Sequence, residues 1–548
     1  MRAGSIKARI PTVAALAICM GSCGPAPVAR TPHQTNSARP PSSPAMLSEE
    51  DARADLRQLR AILEESHPDA YQRAGGVVAF RRRFELAEAA IPPSGIEPQE
   101  FRRLVRPLLA QVRDGHTQLR ERDSDIGTRV WVDLGLIEER VVVQAVYAPD
   151  QQKVLGATVT SIQGVPVAML AERMATRRGY ENVYTNLWHL TDALRSSAGL
   201  VDLLERAPLG DSVHLDLRLA DGTAASVDVR ISRQSPGARI EPPSRVVLPP
   251  RDSAAMASGF LDDAHRIGYF RLDSAMRYRE AFEVWQATGY AREKRELESI
   301  PSVTQTLQTL FAEMKAKKTA LFVVDLRENE GGNSLFAAIL EYFLYPIDTI
   351  LALDRGYQVP RYSALYFANH TSDTLEKVRA RTSPTFQIGD FDFTEERAWQ
   401  RFHGAPSGEE LARRRREYAG EVAKSPTFAK VHGEGTWNGT WSPRVVVLTS
   451  ARTYSAGFDA VLVLRAHGAT VLGVPSAQAA NCFIDNLTFE LEHSHLRGGL
   501  SFKWSMGLPD DPKRGEMLRP DQELTYATYA AHGFDPNTSV LLAMDRAK

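Results

Sequence analysis

Residues 444–457, RVVVLTSARTYSAG, join a buried strand pattern to a helical pattern through a turn of small residues. The apolar, mainly β-branched run at 445–448 is typical of a parallel strand, and apolar residues recur at helical spacing after the turn. Ser455 is therefore expected at a strand-to-helix junction, where the first amides of the helix, among them that of Ala456, have no partner within the helix. Such amides stabilise negative charge on a nearby oxygen. The simpler alternative is that the Ser455 hydroxyl caps the helix.

A second segment repeats this arrangement of a strand followed by a turn. Residues 321–325, LFVVD, form another buried strand pattern, and LRENEGGN follows it with the paired glycines Gly331 and Gly332. Because glycine has no side chain, the amide of either residue can approach a bound carbonyl group and serve as the second donor of an oxyanion hole. A plain turn is the alternative.

The segments LFVVDLRENEGG and VVVLTSARTYSAGFDA together resemble the two signature segments of the C-terminal processing peptidases, also called tail-specific proteases and related to the tricorn core protease. The resemblance implies that Ser455 is the nucleophile and that Ala456 and Gly332, or Gly331, are the oxyanion donors. It also implies the α/β fold class, with a crotonase-like ββα superhelix as the catalytic domain, a PDZ-like β-rich module and an N-terminal helical segment.

The resemblance allows two kinds of general base. Family members with a Ser-Lys pair carry the lysine in a Gly-Lys-Gly context after the serine, but this chain has no lysine between Lys430 and Lys503. The histidine-using, tricorn-like branch takes its base from far upstream, and RDGHTQL around His116 resembles the Asp-x-His-Thr segment of that branch. His116 is therefore the predicted base, since neutral imidazole near pH 7 suits proton transfer. The alternative is that His116 stabilises the C-terminal end of the preceding helix.

Glu516 is the predicted third catalytic residue. GEMLRPDQELTYATYAAHGFDP resembles the family's closing segment, in which an acidic residue precedes a Pro-Asp pair, here at 520–521. The strict family register places Arg514 where that glutamate is expected, and Asp510 and Asp511 are substitutes. A solvated loop carboxylate is the alternative interpretation of Glu516.

Other histidines have simpler interpretations than catalysis. His67 precedes a proline and is expected to end a helix, while His493 and His495 alternate with polar residues as on one face of a strand. The sequence contains no HExxH motif and no paired CxxC motif. We therefore predict no metal site and no organic cofactor.

The N-terminus is typical of an export signal, in which basic residues precede an apolar run at 13–20. Met-Gly-Ser-Cys at 20–23 resembles a lipobox, which implies lipid attachment to Cys23 and a membrane-tethered, periplasmic protein. An ordinary secretory signal is the alternative. Residues 24–44 are rich in Pro, Ser, Ala and Thr and predict a flexible stalk. After lipidation of Cys23 and removal of the signal, Cys482 has no cysteine partner within the chain, so no disulfide is predicted.

The chain of 548 residues is long enough for several domains, and its 43% hydrophobic content suits a globular protein. KVLGATVTSIQGVPVAML at 153–170 resembles the second half of a PDZ domain, a module that binds peptides by strand addition. Residues 351–440 form an insertion between the two signature segments. We interpret this insertion as a lid over the substrate cleft, with surface decoration as the alternative. The predicted units are a signal peptide at 1–22, a stalk at 23–47, a helical domain at 48–120, a PDZ-like module at 121–235 and a catalytic domain at 236–548, with the insertion at 351–440.

The resemblance implies a serine endopeptidase that hydrolyses exported proteins or peptides. A net charge of -1 and the lack of a basic patch in the sequence argue against a nucleic-acid partner, and membrane contact is expected only through the lipid anchor. The alternative is a catalytically weak or inactive peptide-binding protein on the same scaffold, because a fold does not guarantee its chemistry.

Overall fold

The structure, a computed structural model, describes residues 46–120, 128–205, 209–287, 293–353, 356–400, 406–435 and 441–547. The predicted signal peptide, Cys23 and the stalk up to residue 45 lie outside the described residues. Within these ranges, none of the helices is both long and apolar enough to span a bilayer. The described chain has a mixed α/β structure with three β-sheets.

Three helices form the first part of the described chain. They are α1 (Glu49–Ser66), α2 (Gly76–Ala89) and α3 (Pro98–Ala110). The Ser48 hydroxyl caps α1 by accepting a hydrogen bond from the amide of Asp51, and a proline begins α3, where its missing N–H costs nothing. Phe101 and Val105 of α3 are fully buried in the core that the three helices share. The amphipathic pattern of the sequence therefore predicts the packing of these helices.

The next part of the chain consists mainly of short strands. Its elements are β1 (Gln118–Leu119), β2 (Arg129–Val130), β3 (Val132–Ile137), β4 (Arg140–Val146), a 3₁₀ helix (Pro149–Val154), β5 (Thr158–Ile162), β6 (Val165–Pro166), α4 (Val167–Ala175), α5 (Val183–Ala193), α6 (Ser197–Leu204), β7 (Ser212–Arg218) and β8 (Ala224–Ser232). An antiparallel sheet has the order β2-β8-β7-β5-β4-β3, with β6 paired to β5. Val213, Leu215 and Leu217 alternate along β7 and are buried, as a half-buried strand requires.

A mostly parallel sheet organises the rest of the chain. The elements before the insertion are β9 (Met256–Phe260), β10 (Ile267–Leu272), α7 (Arg279–Ala287), α8 (Lys294–Ser299), α9 (Val303–Lys317), β11 (Leu321–Asp325), α10 (Leu335–Leu344) and α11 (Ile347–Ala352). The insertion contains β12 (Tyr357–Pro360), α12 (Ala364–Asn369), α13 (Leu375–Arg381), α14 (Thr394–Gln400), α15 (Gly408–Ala423) and α16 (Pro426–Glu434). The elements after it are β13 (Arg444–Thr449), α17 (Ala456–Ala466), β14 (Thr470–Gly473), β15 (Asn481–Glu490), β16 (Arg497–Met506), α18 (Pro512–Glu516), β17 (Gln522–Glu523), α19 (Tyr526–Ala531) and α20 (Thr538–Asp545).

The two signature strands, β11 and β13, are neighbours in this sheet. Its order is β17-β14-β13-β11-β10-β9, and every pair from β10 to β17 is parallel. Asp325 at the end of β11 lies opposite Leu448 near the end of β13. The loops that follow the two strands therefore leave the same edge of the sheet, the edge at which open α/β sheets place their ligand sites.

The third sheet connects the N-terminal part of the chain to the C-terminal part. Both β1 and β12 pair with β16, which also forms a long hairpin with β15. His493 and His495 lie in the turn of that hairpin, so their predicted place on a strand is wrong. The carboxylate of Asp55 accepts hydrogen bonds from the amides of His493 and Ser494, at 3.0 and 2.7 Å, and this tertiary contact holds the turn. Cys482 on β15 is buried, as expected for a structural cysteine.

The insertion packs into the cores on either side of it. Tyr362 and Val378 are buried together with apolar side chains of α1 to α3, while Tyr418 and Phe428 join the core beside the parallel sheet. The Arg361 guanidinium donates hydrogen bonds to two backbone carbonyls at the end of α1, at 2.8 and 2.9 Å. The described insertion is therefore a packed part of the fold, and its interpretation as a lid stays a prediction.

Candidate active site

Ser455 occupies a strained position at the start of α17. Its backbone has φ 51° and ψ -127°, a left-handed φ that residues with a side chain rarely adopt. The side chain makes no capping hydrogen bond, so the interpretation of Ser455 as a simple helix cap is wrong. The Ser455 amide instead donates to the side-chain oxygen of Gln478. The sharp turn therefore holds the hydroxyl outside the helix, as a nucleophile between a strand and a helix requires.

The glycine loop after β11 lies against Ser455. A Cβ atom added to Gly331 would lie 2.4 Å from the Ser455 Cβ and 3.1 Å from its Oγ, so only glycine fits there. The amide of Tyr454 donates to the carbonyl of Asn329 at 2.9 Å and ties the two loops together. The two signature segments thus meet at one point, because they follow adjacent parallel strands.

Hydrogen bonds within the glycine loop distinguish its two glycines as oxyanion donors. The Gly331 amide donates to the side-chain oxygen of Asn329 at 3.0 Å and is engaged within the loop. Gly332 forms a parallel bridge with Ala275, in which the Gly331 carbonyl and the Asn333 amide make the hydrogen bonds, at 3.0 and 2.9 Å. In such a bridge the N–H of Gly332 points away from Ala275. The geometry therefore favours Gly332 over Gly331, beside Ala456 at the first position of α17.

A tight turn built on Asp114 holds His116 in place. One carboxylate oxygen of Asp114 accepts from the His116 amide at 2.9 Å, and the other accepts from the Thr117 hydroxyl at 2.5 Å and from the ring of His67 at 3.2 Å. The Asp69 amide donates to Nδ1 of His67, so the proton of the neutral ring lies on Nε2 and points at Asp114. Burial opposes the charge of Asp114, but hydrogen bonds, first that from the His67 ring and also that from the Thr117 hydroxyl, help to lower the pKa of Asp114 to about 2.

His116 lies against the residue that precedes Ser455. Its Nδ1 is 3.2 Å from the Tyr454 hydroxyl, its ring stacks on the Tyr454 ring at 4.9 Å, and it is separated from Tyr454 by 338 positions in sequence. The ring is only 5% exposed and lies six residues beyond the end of α3, so a role at that helix terminus does not explain it. The fold therefore brings an early histidine to the loop of a late serine.

The hydrogen bonds of Tyr454 fix the proton on the His116 ring. The Tyr454 hydroxyl donates its one proton to Glu181 at 2.6 Å, and burial, followed by the charge of Glu181, raises the pKa of this tyrosine well above its ordinary value. The hydroxyl oxygen must then accept from Nδ1 of neutral His116. This tautomer leaves Nε2 as the basic nitrogen of the ring, which is the nitrogen a general base uses on a serine.

The carboxylates close to His116 are those of Asp114 and Glu181, at 3.8 and 3.7 Å from its Nδ1. The structure places Glu516 elsewhere, on the solvent-exposed end of α18, where Arg514 is also exposed and faces Asp511 at 3.6 Å. The assignment of Glu516 as third catalytic residue therefore stays a prediction that these contacts do not support. Glu181 lies in GYENVY, which carries no motif that would single it out in the sequence.

Asp114, His116 and Glu181 offer ligand atoms within 4.8 Å of one another, close enough to share a metal ion. Their hydrogen bonds indicate a different use. Both oxygens of Asp114 accept from the turn around His116, and those of Glu181 accept from the Tyr454 hydroxyl and, at 3.2 Å, from the Ala479 amide. The carboxylates are therefore engaged in orienting the imidazole.

Asp459 lies one turn beyond Ser455 and links α17 to the glycine loop. Its carboxylate accepts a hydrogen bond from the Ser334 hydroxyl at 2.8 Å. Burial raises the pKa of Asp459 to about 6, and the charge of Asp485 adds to this rise against the opposing effects of Ser334 and Lys503. Asp485 itself forms a buried ion pair with Lys503 at 2.6 Å. A carboxyl group with a raised pKa therefore lies one helical turn from the nucleophile.

The raised pKa of Asp459 predicts a stability that depends on pH. Between about pH 4 and pH 6 the folded state holds this proton more firmly than the unfolded state, so the free energy of unfolding falls as pH rises. The two pKa values, 3.8 and about 6, limit the fall to about 3 kcal/mol. Asp459→Asn stays neutral and should lack this fall in urea unfolding at several pH values. Asp150→Asn, at an exposed position, should keep this fall. An equal dependence of the free energy of unfolding on pH in wild type and Asp459→Asn would contradict the raised pKa of Asp459.

Residues 266–482 match the sequence model of peptidase family S41, a range that includes β10, β11, the glycine loop, β13 and Ser455. No curated protein matches the chain significantly. The solved structure of mature CPAF complexed with lactacystin is similar over 90% of this chain and 98% of that chain, with a TM-score of 0.54 and 13% identity. The structure of mature CPAF is similar over 91% of this chain and 98% of that chain, with a TM-score of 0.53 and 12% identity.

A further similar structure is the photosystem II D1 C-terminal processing protease, which covers 87% of this chain and 94% of that chain with a TM-score of 0.38 and 14% identity. At these identities the structural likeness concerns the fold, whereas the family match includes both signature segments. Residues 266–482 therefore form a peptidase family S41 domain, and the chain is a serine-type peptidase.

Proposed function

We propose that this protein hydrolyses peptide bonds of exported proteins or peptides through an acyl-enzyme on Ser455, with His116 as the general base. One observation carries the proposal: the His116 ring packs against Tyr454, next to the strained Ser455, with its Nδ1 engaged by the Tyr454 hydroxyl. Family membership supports the reaction class, and the geometry supports the assignment of the roles.

In the proposed reaction, Nε2 of His116 takes the hydroxyl proton while the Ser455 oxygen bonds to the carbonyl carbon of the peptide. The amides of Ala456 and Gly332 stabilise the negative charge that forms on the carbonyl oxygen. His116 then gives its proton to the leaving amine as the C–N bond breaks, which leaves an ester on Ser455. A water molecule loses a proton to His116, attacks this ester and releases the acid, and Ser455 regains its proton.

Glu181 acts on His116 through the Tyr454 hydroxyl in this proposal and takes the positioning role that the sequence assigns to Glu516. Glu181→Gln should lower kcat roughly 100-fold with little change in KM, because the imidazole loses its fixed orientation and not its substrate contacts. Tyr454→Phe should have a similar effect, and the double variant should cost no more than the larger single change. Steady-state kinetics on these variants and on Glu516→Gln, the matched carboxylate variant, distinguish Glu181 from Glu516 as the positioning residue. A larger loss of kcat in Glu516→Gln than in Glu181→Gln contradicts the assignment of Glu181.

A fluorophosphonate probe tests the proposed nucleophile directly. Wild type should be labelled and Ser455→Ala should not, because the probe phosphonylates an activated serine hydroxyl. Lactacystin, the compound in the CPAF complex, should slow this labelling if it reaches the same cleft. Labelling of neither protein would favour the alternative, a peptide-binding protein on the same scaffold.

The finer features of the architecture belong to the same proposal. The antiparallel sheet of β2 to β8 with α4 supports a PDZ-like module, and the parallel sheet with its helices supports a crotonase-like catalytic domain.

We also propose export and tethering at Cys23, for which the sequence of residues 1–23 is the support. Fractionation should find the wild type with membranes and Cys23→Ala in the soluble fraction, since the lipid would be lost. Membrane association of both proteins would contradict tethering at this residue.

A further inference from the structure

A large cavity adjoins His116 on the side of the N-terminal helices. It has a volume of about 860 Å³, is partly open to solvent and is lined by residues of α3, α5, α6, β15 and β16, with His116 in its wall together with Asn486 and Gly499. The volume is at the upper end of the range for ligand sites and has room for a short stretch of peptide. Anything bound in this cavity therefore lies next to the predicted general base.

Arginine dominates the lining of this cavity. The lining arginines are Arg102, Arg103, Arg106, Arg120, Arg177 and Arg178. Against these six cations the described lining contains two carboxylates, Asp192 and Asp202. Asp202 contacts Arg103, Arg106 and Arg177 at 3.8, 2.9 and 3.1 Å, and Asp192 pairs at 3.1 Å with Arg452, which lies outside the lining. The lining thus has a formal excess of four positive charges, although Arg177 also pairs at 3.0 Å with Glu205, which lies outside the lining.

The positive charge acts on the side chains around it. His189, in the same lining, has its pKa lowered well below the ordinary value, first by burial and then by the charge of Arg178. Arg102 is only 2% exposed, and its guanidinium donates to the Arg120 carbonyl at 2.8 Å. Arg102 is held in the wall of the cavity, and His189 adds no charge to it. The arginines therefore give the cavity a positive potential, which attracts anions and concentrates them.

We propose that this cavity binds a carboxylate-bearing stretch of the substrate, so that the enzyme prefers peptides with acidic groups close to the bond it cuts. The inference rests on the proposed function, because it assigns the cavity to the substrate of the Ser455 site. Planar guanidinium groups bind carboxylates through paired hydrogen bonds, which lysine cannot match. The carboxylates come from Asp and Glu side chains or from a free C-terminus, and the two sources share this chemistry.

Direct binding to the full-length Ser455→Ala protein tests the proposal without turnover. Three fluorescein-labelled peptides of equal length are compared by fluorescence polarisation: one with several glutamates and blocked ends, its glutamine analogue, and that analogue with a free C-terminus. We expect the glutamate peptide, the free C-terminal peptide or both to bind about tenfold or more tightly than the blocked glutamine peptide. The difference should shrink with added salt, since it is electrostatic. Equal affinity of all three peptides would overturn the proposal.

Substitutions in the cavity locate the interaction. Arg120→Gln combined with Arg178→Gln, in the Ser455→Ala background, should remove most of the preference for carboxylates, whereas Arg218→Gln, at an exposed position on β7 outside the lining, should keep it. Circular dichroism and thermal unfolding check that each variant is folded, and Arg120→Gln alone, at an exposed side chain, provides a milder change. A preference unchanged in both cavity variants would overturn the assignment to this cavity.

The fluorophosphonate reaction of the wild type separates this inference from the proposed function. Labelling at Ser455 without a preference for carboxylate-bearing peptides would leave the peptidase proposal intact and refute the proposed role of the cavity. A clear preference for carboxylates with no labelling would support the cavity as a peptide site and refute the catalytic proposal. Stronger displacement of the glutamate peptide by RNA than by its unlabelled copy would indicate a nucleic-acid ligand and overturn the inference.

Discussion

Ser455→Ala should lower kcat for a generic protein substrate by roughly 10⁴- to 10⁶-fold, the loss expected when a serine nucleophile is removed. The structure gives the reason: the turn holds Ser455 at φ 51° against the Gly331 backbone, and its side chain does not cap α17. Residual hydrolysis would then come only from substrate binding and from the amides of the oxyanion hole.

The matched control for this change is Ser442→Ala. Ser442 is exposed just before β13, and its hydroxyl bonds only to a neighbouring carbonyl at 3.4 Å among the contacts described for it. We expect wild-type turnover from this variant and unchanged thermal unfolding from both. Retention of more than a tenth of the activity in Ser455→Ala would exclude the acyl-enzyme mechanism.

His116→Ala should have an effect of similar size, roughly 10⁴- to 10⁶-fold in kcat, because the base and the nucleophile of a serine peptidase act as one unit. For the same reason, the Ser455→Ala/His116→Ala double variant should be no worse than either single variant. Fluorophosphonate labelling of Ser455 should also slow in His116→Ala, since the hydroxyl loses its proton acceptor.

His495→Ala is the control for the histidine. Its side chain is 75% exposed in the turn between β15 and β16 and contacts Glu490 at 3.2 Å. This variant should turn over substrate like wild type. Near-normal turnover by His116→Ala together with loss in Ser455→Ala would mean that another group takes the serine proton.

The local part of the site could be predicted from the sequence. The predicted strand at 321–325 has the bounds of β11, and the helix predicted after Ser455 is α17. These elements are specified by short apolar runs that end in glycine or small residues, and such signals lie within a few positions of one another. The contact between Ser455 and the glycine loop follows in turn from two adjacent parallel strands.

The groups that orient His116 could not be predicted from the sequence. Glu181, Tyr454 and His67 come from separate parts of the chain, and each reaches the site through tertiary contacts that leave no spacing pattern. The arginines of the cavity form no basic patch in the sequence, since they come from α3, the segment after β1 and the segment after α4. The prediction of Glu516 rests on its distance in sequence from a Pro-Asp pair, and that distance does not report on packing.

The pairing of β1 with β16 has a consequence for biosynthesis. Gln118, two residues after His116, lies opposite Gly499, so the segment that carries the histidine is anchored by a strand made after Ser455. A nascent or C-terminally truncated polypeptide lacks that anchor even when it already contains Ser455. Proteolytic competence should therefore appear only after β16 has been made and has paired with β1.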